Sequence, residues 1–199
     1  MTMGHYATAL LPWAKNKGWP LWLLLVCGQF GDLLWLALAV VGVEPTEPSS
    51  FLDVSIVNMK VSMLWSHGLV AVLVQAALMG ALVFAVWKDK ALAGWAAALV
   101  VGHLVCDFLC GWKHEAAGAG SLKLGLGLYE APVTIFVALA LEVAFGAACV
   151  WWFVRQREAV GDKLSGRAKG VLYAVFAGGA LLFAGNATTS MRDLLARFN

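Results

Sequence analysis

A chain of 199 residues that is 61% hydrophobic, with ten tryptophans and only 13% charged side chains, carries too little charge for a soluble domain of its size. Its formal net charge of +2 comes without a basic run or zinc-finger spacing, which argues against a nucleic-acid partner. A mean hydropathy of +0.79 fits an all-α polytopic membrane protein, a single integral membrane domain over residues 1–199 whose first partner is the lipid bilayer.

The first nineteen residues lack the charged, then apolar, then small-residue layout of a cleaved signal peptide, so the first span is expected to stay in the mature protein, and His5 before it reads as tail. Five apolar stretches follow, predicted to span at about 19–43, 64–87, 91–112, 131–154 and 168–187. A helix needs ~20 apolar residues to cross a 30 Å hydrocarbon core. Trp19, Trp22, Trp65, Trp87, Trp112 and the Trp151-Trp152 pair mark span ends, where amphipathic rings settle at the headgroups. Cys27, Cys106, Cys110 and Cys149 all lie in apolar segments, where free cysteine packs as a small hydrophobe. Cys106 and Cys110 also flank Asp107 at helical spacing, which leaves thiolate ligation open.

Basic residues sort unequally between the two faces. Lys15, Lys17, Lys88, Lys90 and five more in the 155–169 loop fall on one side, and Lys60, Lys113, Lys123, Arg192 and Arg197 on the other. The positive-inside bias then predicts a cytoplasmic N-terminus and an extracytoplasmic C-terminus. The outer side also carries two long polar stretches, 44–63 and the glycine-rich 113–130.

Ionisable residues inside the spans are the candidates for function, because an acid or imidazole at membrane depth costs about 2.5–3.5 kcal/mol unless it pairs, binds an ion or meets water. Asp32 sits in Gly28-Gln29-Phe30-Gly31-Asp32, about 13 residues or ~20 Å along span 1. His67 opens span 2 in Ser66-His67, and Glu142 lies mid-span 4 with Glu130 at its mouth. In span 3, His103 and Asp107 are four residues apart and share one helix face, offering an imidazole nitrogen and a carboxylate to a divalent metal. With the assigned orientation all of these fall between mid-membrane and the outer surface, which predicts one outward-facing cavity. The competing readings are polar packing pairs, a helix-dipole role for Glu130, and a solvated loop position for His114 and Glu115. Lys113 and Lys123 are placed to meet a phosphate headgroup. No G-x-S-x-G elbow, H-E-x-x-H helix or phosphate-binding G-x-x-x-x-G-K-[ST] loop is present.

The order of these motifs resembles a known family. A mid-span aspartate, Ser66-His67, Gly102-His103-Leu104-Val105-Cys106-Asp107, Leu124-Gly125-Leu126-Gly127-Leu128-Tyr129 and Glu142 follow one another as in the predicted membrane-bound metal-dependent hydrolases of the bacterial inner membrane, which include LexA-linked members. The resemblance covers roughly residues 25–155. It implies Ser66, His67, His103 and Asp107 as site residues, together with a further histidine one turn past the aspartate. Position 111 is Gly111, and the nearest histidine is His114, three residues late.

The resulting expectation is a divalent metal, equally zinc, manganese or iron, held by His67, His103 and Asp107 with Asp32 or Glu142, and His114 as a further ligand. Glu142 or Glu130 would serve as proton acceptor for hydrolysis of a lipid or lipid-linked ester or phosphoester. Two other readings stand beside it. One is a haem or electron-transfer protein with His67 and His103 as axial ligands. The other is a non-catalytic subunit or small transporter, working with a partner membrane protein or as a homo-oligomer.

Overall fold

The computed structural model describes residues 3–50 and 52–197. It is mostly helical, in agreement with the all-α expectation, and its elements are shaped by where the polar groups go. Among the described residues three helices are long and apolar enough to cross a membrane: α6 (Leu69–Trp87), α7 (Lys90–Cys110) and α8 (Thr134–Ala159). α7 is started by Asp89, whose carboxylate accepts the Ala91 and Leu92 N–H groups at 2.8 and 3.0 Å.

The first apolar stretch is not one straight helix. Pro20 opens α3 (Leu21–Gly28), the chain breaks at Gln29, and α4 (Phe30–Val40) departs at 63°. Counted together, this bent pair would make a fourth crossing. The second stretch also divides: α5 (Leu64–His67) is a single turn, Gly68 is extended, and α6 follows. The fifth expected span departs furthest from expectation. α9 (Gly166–Phe176) stops after eleven residues and the chain continues as a 3-10 run, Gly178–Phe183, so no continuous spanning helix forms there. A Gly-Gly pair favours such a break. The packing requires another glycine: a Cβ on Gly146 of α8 would lie 2.0 Å from the Phe176 carbonyl oxygen, so α9 closes on α8 backbone to backbone.

The N-terminal segment corrects the reading of it as a tail. α1 (Met3–Thr8) and α2 (Leu10–Lys15) enter the bundle, burying Ala7, Leu10 and Ala14 against Cys149, Val150 and Phe153 of α8, with Trp13 stacked on Phe153 at 5.2 Å. His5 is 1% exposed. At one end of the bundle Lys17 pairs with Asp162 at 2.5 Å, Arg157 reaches the Ala14 carbonyl at 3.3 Å, and Trp19 donates to Asp89 at 2.8 Å. These contacts gather 15–19, 88–90 and 155–163 on one side, as the charge distribution predicted.

The opposite end is built from the 44–63 and 113–130 segments and the C-terminal turn. Two short antiparallel pairs brace it: β1 (Thr46–Glu47) with β2 (Lys60–Val61), and β3 (His114–Glu115) with β4 (Lys123–Leu124). α10 (Met191–Ala196) is tied to the first of these segments by Arg192 and Asp53 at 2.5 Å. Cys106 and Cys110 pack with Ile135, Ala138 and Leu139 in an apolar cluster, where they are small hydrophobes.

Candidate metal centre

Four side chains from three separated stretches converge at the break between α3 and α4. Asp32 comes from the first turn of α4, His67 from α5, and His103 and Asp107 from α7; one ligand atom of each lies within 4.8 Å of all the others. His67 Nε2 and His103 Nε2 are 3.1 Å apart. Asp32 Oδ1 is 3.4 Å from the first and 3.7 Å from the second. Asp107 Oδ2 is 3.4 and 3.5 Å from the same two nitrogens. Four atoms placed ~2.0–2.1 Å from a tetrahedral centre stand about 3.3–3.4 Å from one another, so the group can hold a metal ion.

The hydrogen bonds behind the imidazoles fix which nitrogen faces inward. His103 Nδ1 is 2.9 Å from the Gly28 carbonyl oxygen, which can only accept, so Nδ1 carries the proton and Nε2 presents a lone pair. Gly28 is the last residue of α3, so its carbonyl has no partner within that helix and is available. His67 is oriented by a two-step relay. Its Nδ1 lies 2.8 Å from Ser66 Oγ, which itself donates to Glu44 Oε2 at 2.6 Å, so Ser66 accepts from Nδ1–H and His67 Nε2 is left bare. Glu44 Oε1 also accepts the backbone N–H groups of Trp65 and Ser66 at 2.5 and 3.1 Å, which fixes the start of α5. Two lone pairs thus face each other across 3.1 Å between two carboxylates, an arrangement that needs a cation or a proton at its centre.

The close approach depends on Gly31. A Cβ there would sit 2.6 Å from His103 Nε2 and 3.2 Å from His67 Nε2, so any side chain would enter the site.

His5 completes the ring of polar groups. Its Nδ1 is 3.4 Å from Asp32 Oδ2 and its Nε2 3.1 Å from Asp107 Oδ1, the oxygens turned away from His67 and His103, and its ring lies against that of His103 with centroids 3.7 Å apart and planes tilted by 39°. Gln29 Nε2 donates to Asp32 Oδ2 at 2.5 Å. His114 does reach back. α7 ends at Cys110, Gly111 is extended, and β3 carries the ring onto His67 at 4.9 Å, with Nε2 3.8 Å from Asp107 Oδ2. Burial pushes His114 down to about 4, so it is neutral at physiological pH.

The expected proton acceptors lie elsewhere. Glu142 is fully buried and accepts the Met3 and Gly4 backbone N–H groups on Oε1, with Tyr129 donating to Oε2 at 3.4 Å; it anchors the helix that carries His5. Glu130 pairs with Lys113 at the surface, 3.4 Å away. Sequence reasoning missed Glu44 and His5. Glu44 sat among prolines in a polar stretch, and His5 preceded an apolar run too short to span. The available signal was composition, since all four histidines of the chain meet here.

Next to the cluster is a cavity of 370 Å³ floored by Asp32, His67 and Asp107 and walled by groups such as Trp35, Leu36, Met59 and Phe183. Asp32 keeps 29% of its side-chain surface accessible and Asp107 8%, so Asp32 is the ligand most open to an incoming molecule. In comparisons with family models, curated proteins and solved structures, nothing matches the chain.

Outer partners of metal-bound histidines contribute about 10–100-fold in affinity. Ser66→Ala and Glu44→Gln are therefore each expected to weaken metal binding by that order, measured by competition with a chromogenic chelator; unchanged affinity in both would remove the relay from the account.

Proposed function

We propose that the protein is a membrane-embedded metal-dependent hydrolase acting on a lipid or lipid-linked ester or phosphoester. The observation that carries this reading is the pair of facing imidazole lone pairs and two carboxylates at tetrahedral spacing, set beneath an apolar cavity. The motif order shared with the membrane-bound metal-dependent hydrolases supports it. Two nitrogens with two oxygens favour zinc over the six-oxygen sites of magnesium and calcium.

A divalent cation bound there would acidify a water and polarise the scissile bond. The chain's own groups then do the rest. Asp32, His67 and Asp107 border the cavity from which substrate arrives. Water adds to the acyl carbon or phosphorus, the bond to the alcohol oxygen breaks, and the water's proton passes to that oxygen. In this reading His5 carries the proton, because it touches both carboxylates while Glu142 is occupied by backbone N–H groups and Glu130 by Lys113. General acid–base groups contribute roughly 10²–10⁴-fold. His5→Asn is expected to lower kcat by that order with metal content retained; loss of metal along with activity would make His5 a ligand instead.

The 3.1 Å separation of His67 and His103 leaves no slot for a porphyrin between the rings, which favours a bare ion over haem. A proton shared by the two imidazoles remains the content of the relay reading. Elemental analysis of detergent-purified protein separates them. Wild type is expected to carry about one metal per chain and His103→Ala/Asp107→Ala none; an absence of metal in wild type would favour the relay and a partner protein.

The proposed location is the bacterial inner membrane with the metal centre toward the outside. The orientation is supported by the basic cluster of 15–17, 88–90 and 155–169 at the other end, and the choice of membrane by the family resemblance. A C-terminal reporter is expected to be active only outside the cytoplasm; activity only inside would reverse the orientation.

A further inference from the structure

We infer that the cavity above the metal centre accommodates one apolar chain, so that the substrate is a single-chain lipid rather than a diacyl lipid; this rests on the hydrolase reading. At roughly 30 Å³ per water-sized group, the 370 Å³ of this half-open cavity encloses about a dozen methylenes, the length of one medium acyl chain or a short prenyl chain and half of what two chains need to be enclosed.

The lining suits such an occupant. Leu33, Trp35, Leu36, Ile56, Met59 and Phe183 are apolar, and two of them are flexible or broad groups that adapt to a bent chain. The carboxylates and the imidazole of the lining are Asp32, Asp107 and His67, which meet the cluster, while Tyr6, Gln29, Tyr129 and Asn186 are its other polar residues. A chain occupying the walls therefore leaves its headgroup linkage at the ligands. Two further atoms await that linkage. Gln29, 6% exposed, lines the cavity, and its Oε1 has no hydrogen-bond partner among the described residues; nor has the indole Nε1–H of Trp35. A buried acceptor and a buried donor left in this state are costly unless a ligand supplies the complement. A hydroxyl or amide beside the scissile group, as a single-chain glycerolipid carries, would satisfy both.

The test uses the metal-loaded full chain in phosphatidylcholine nanodiscs, challenged with lauroyl, myristoyl and palmitoyl lysophosphatidylcholine against dilauroyl phosphatidylcholine, and read by native mass spectrometry of the released protein. One lysolipid per chain is expected, with dilauroyl phosphatidylcholine bound at least roughly tenfold more weakly. Leu36→Trp and Met59→Trp, which fill the wall and replace none of the four ligands, are each expected to weaken lysolipid retention by about tenfold while metal content stays at the wild-type level. Equal retention of the diacyl lipid, or unchanged retention in both filled variants, would overturn the inference. The wild-type chain series keeps the outcome decisive if a variant misfolds. Selective lysolipid retention without metal-dependent cleavage would leave the chain selectivity standing and count against the hydrolase reading alone.

Discussion

Two imidazole lone pairs held 3.1 Å apart are the constraint around which this protein is arranged. Nothing in a low-dielectric interior offsets that repulsion except positive charge between the rings, and the two aspartates add to the demand for it. Each imidazole is committed from behind, His103 by a carbonyl that a helix end leaves without a partner, His67 by a serine that a buried glutamate turns. The interior thus calls for a cation or a proton between the rings by means of groups that stand behind them. Removing one of those outer groups would free a ring to rotate and relieve the repulsion without any ion.

The irregular helices follow from the same requirement. A continuous helix satisfies its own backbone and offers nothing to a ligand, whereas broken backbone inside a membrane bundle persists where it borders a cavity. The breaks at Gln29 and Gly68 fall beside His103 and His67, and the end of α7 at Cys110 lets His114 fold back onto them. Glu142, an acid midway along the fourth apolar stretch, accepts the first backbone N–H groups of the N-terminal helix and so holds His5 against the aspartates. Its burial is explained by anchoring, its partners among the described residues being backbone N–H groups and the Tyr129 hydroxyl.

Hydropathy made α6, α7 and α8 legible, because a long apolar helix is a property of a local window. The i,i+4 spacing of His103 and Asp107 likewise exposed half of the centre without any tertiary information, and Asp32 and His67 were readable as costly groups at depth. The rest depended on contacts between distant segments. Gly28 and Gly31 hinted at close packing around Asp32, yet only the 63° bend reveals that a carbonyl is released for His103. Glu44 reads as a solvated loop acid until α5 folds over it. The fifth apolar stretch met the length criterion, but its Gly-Gly pair and the α8 contact at Gly146 turned the second half into a 3-10 run.

The central claim is that Asp32, His67, His103 and Asp107 together bind one metal ion. X-ray absorption at the zinc edge of the purified, zinc-loaded protein tests this most directly. The account requires a four-coordinate shell of nitrogen and oxygen at ~2.0–2.1 Å with the outer scattering of two imidazoles. A sulfur shell at ~2.3 Å, or a shell without imidazole scattering, would mean that the ion sits elsewhere and would contradict it.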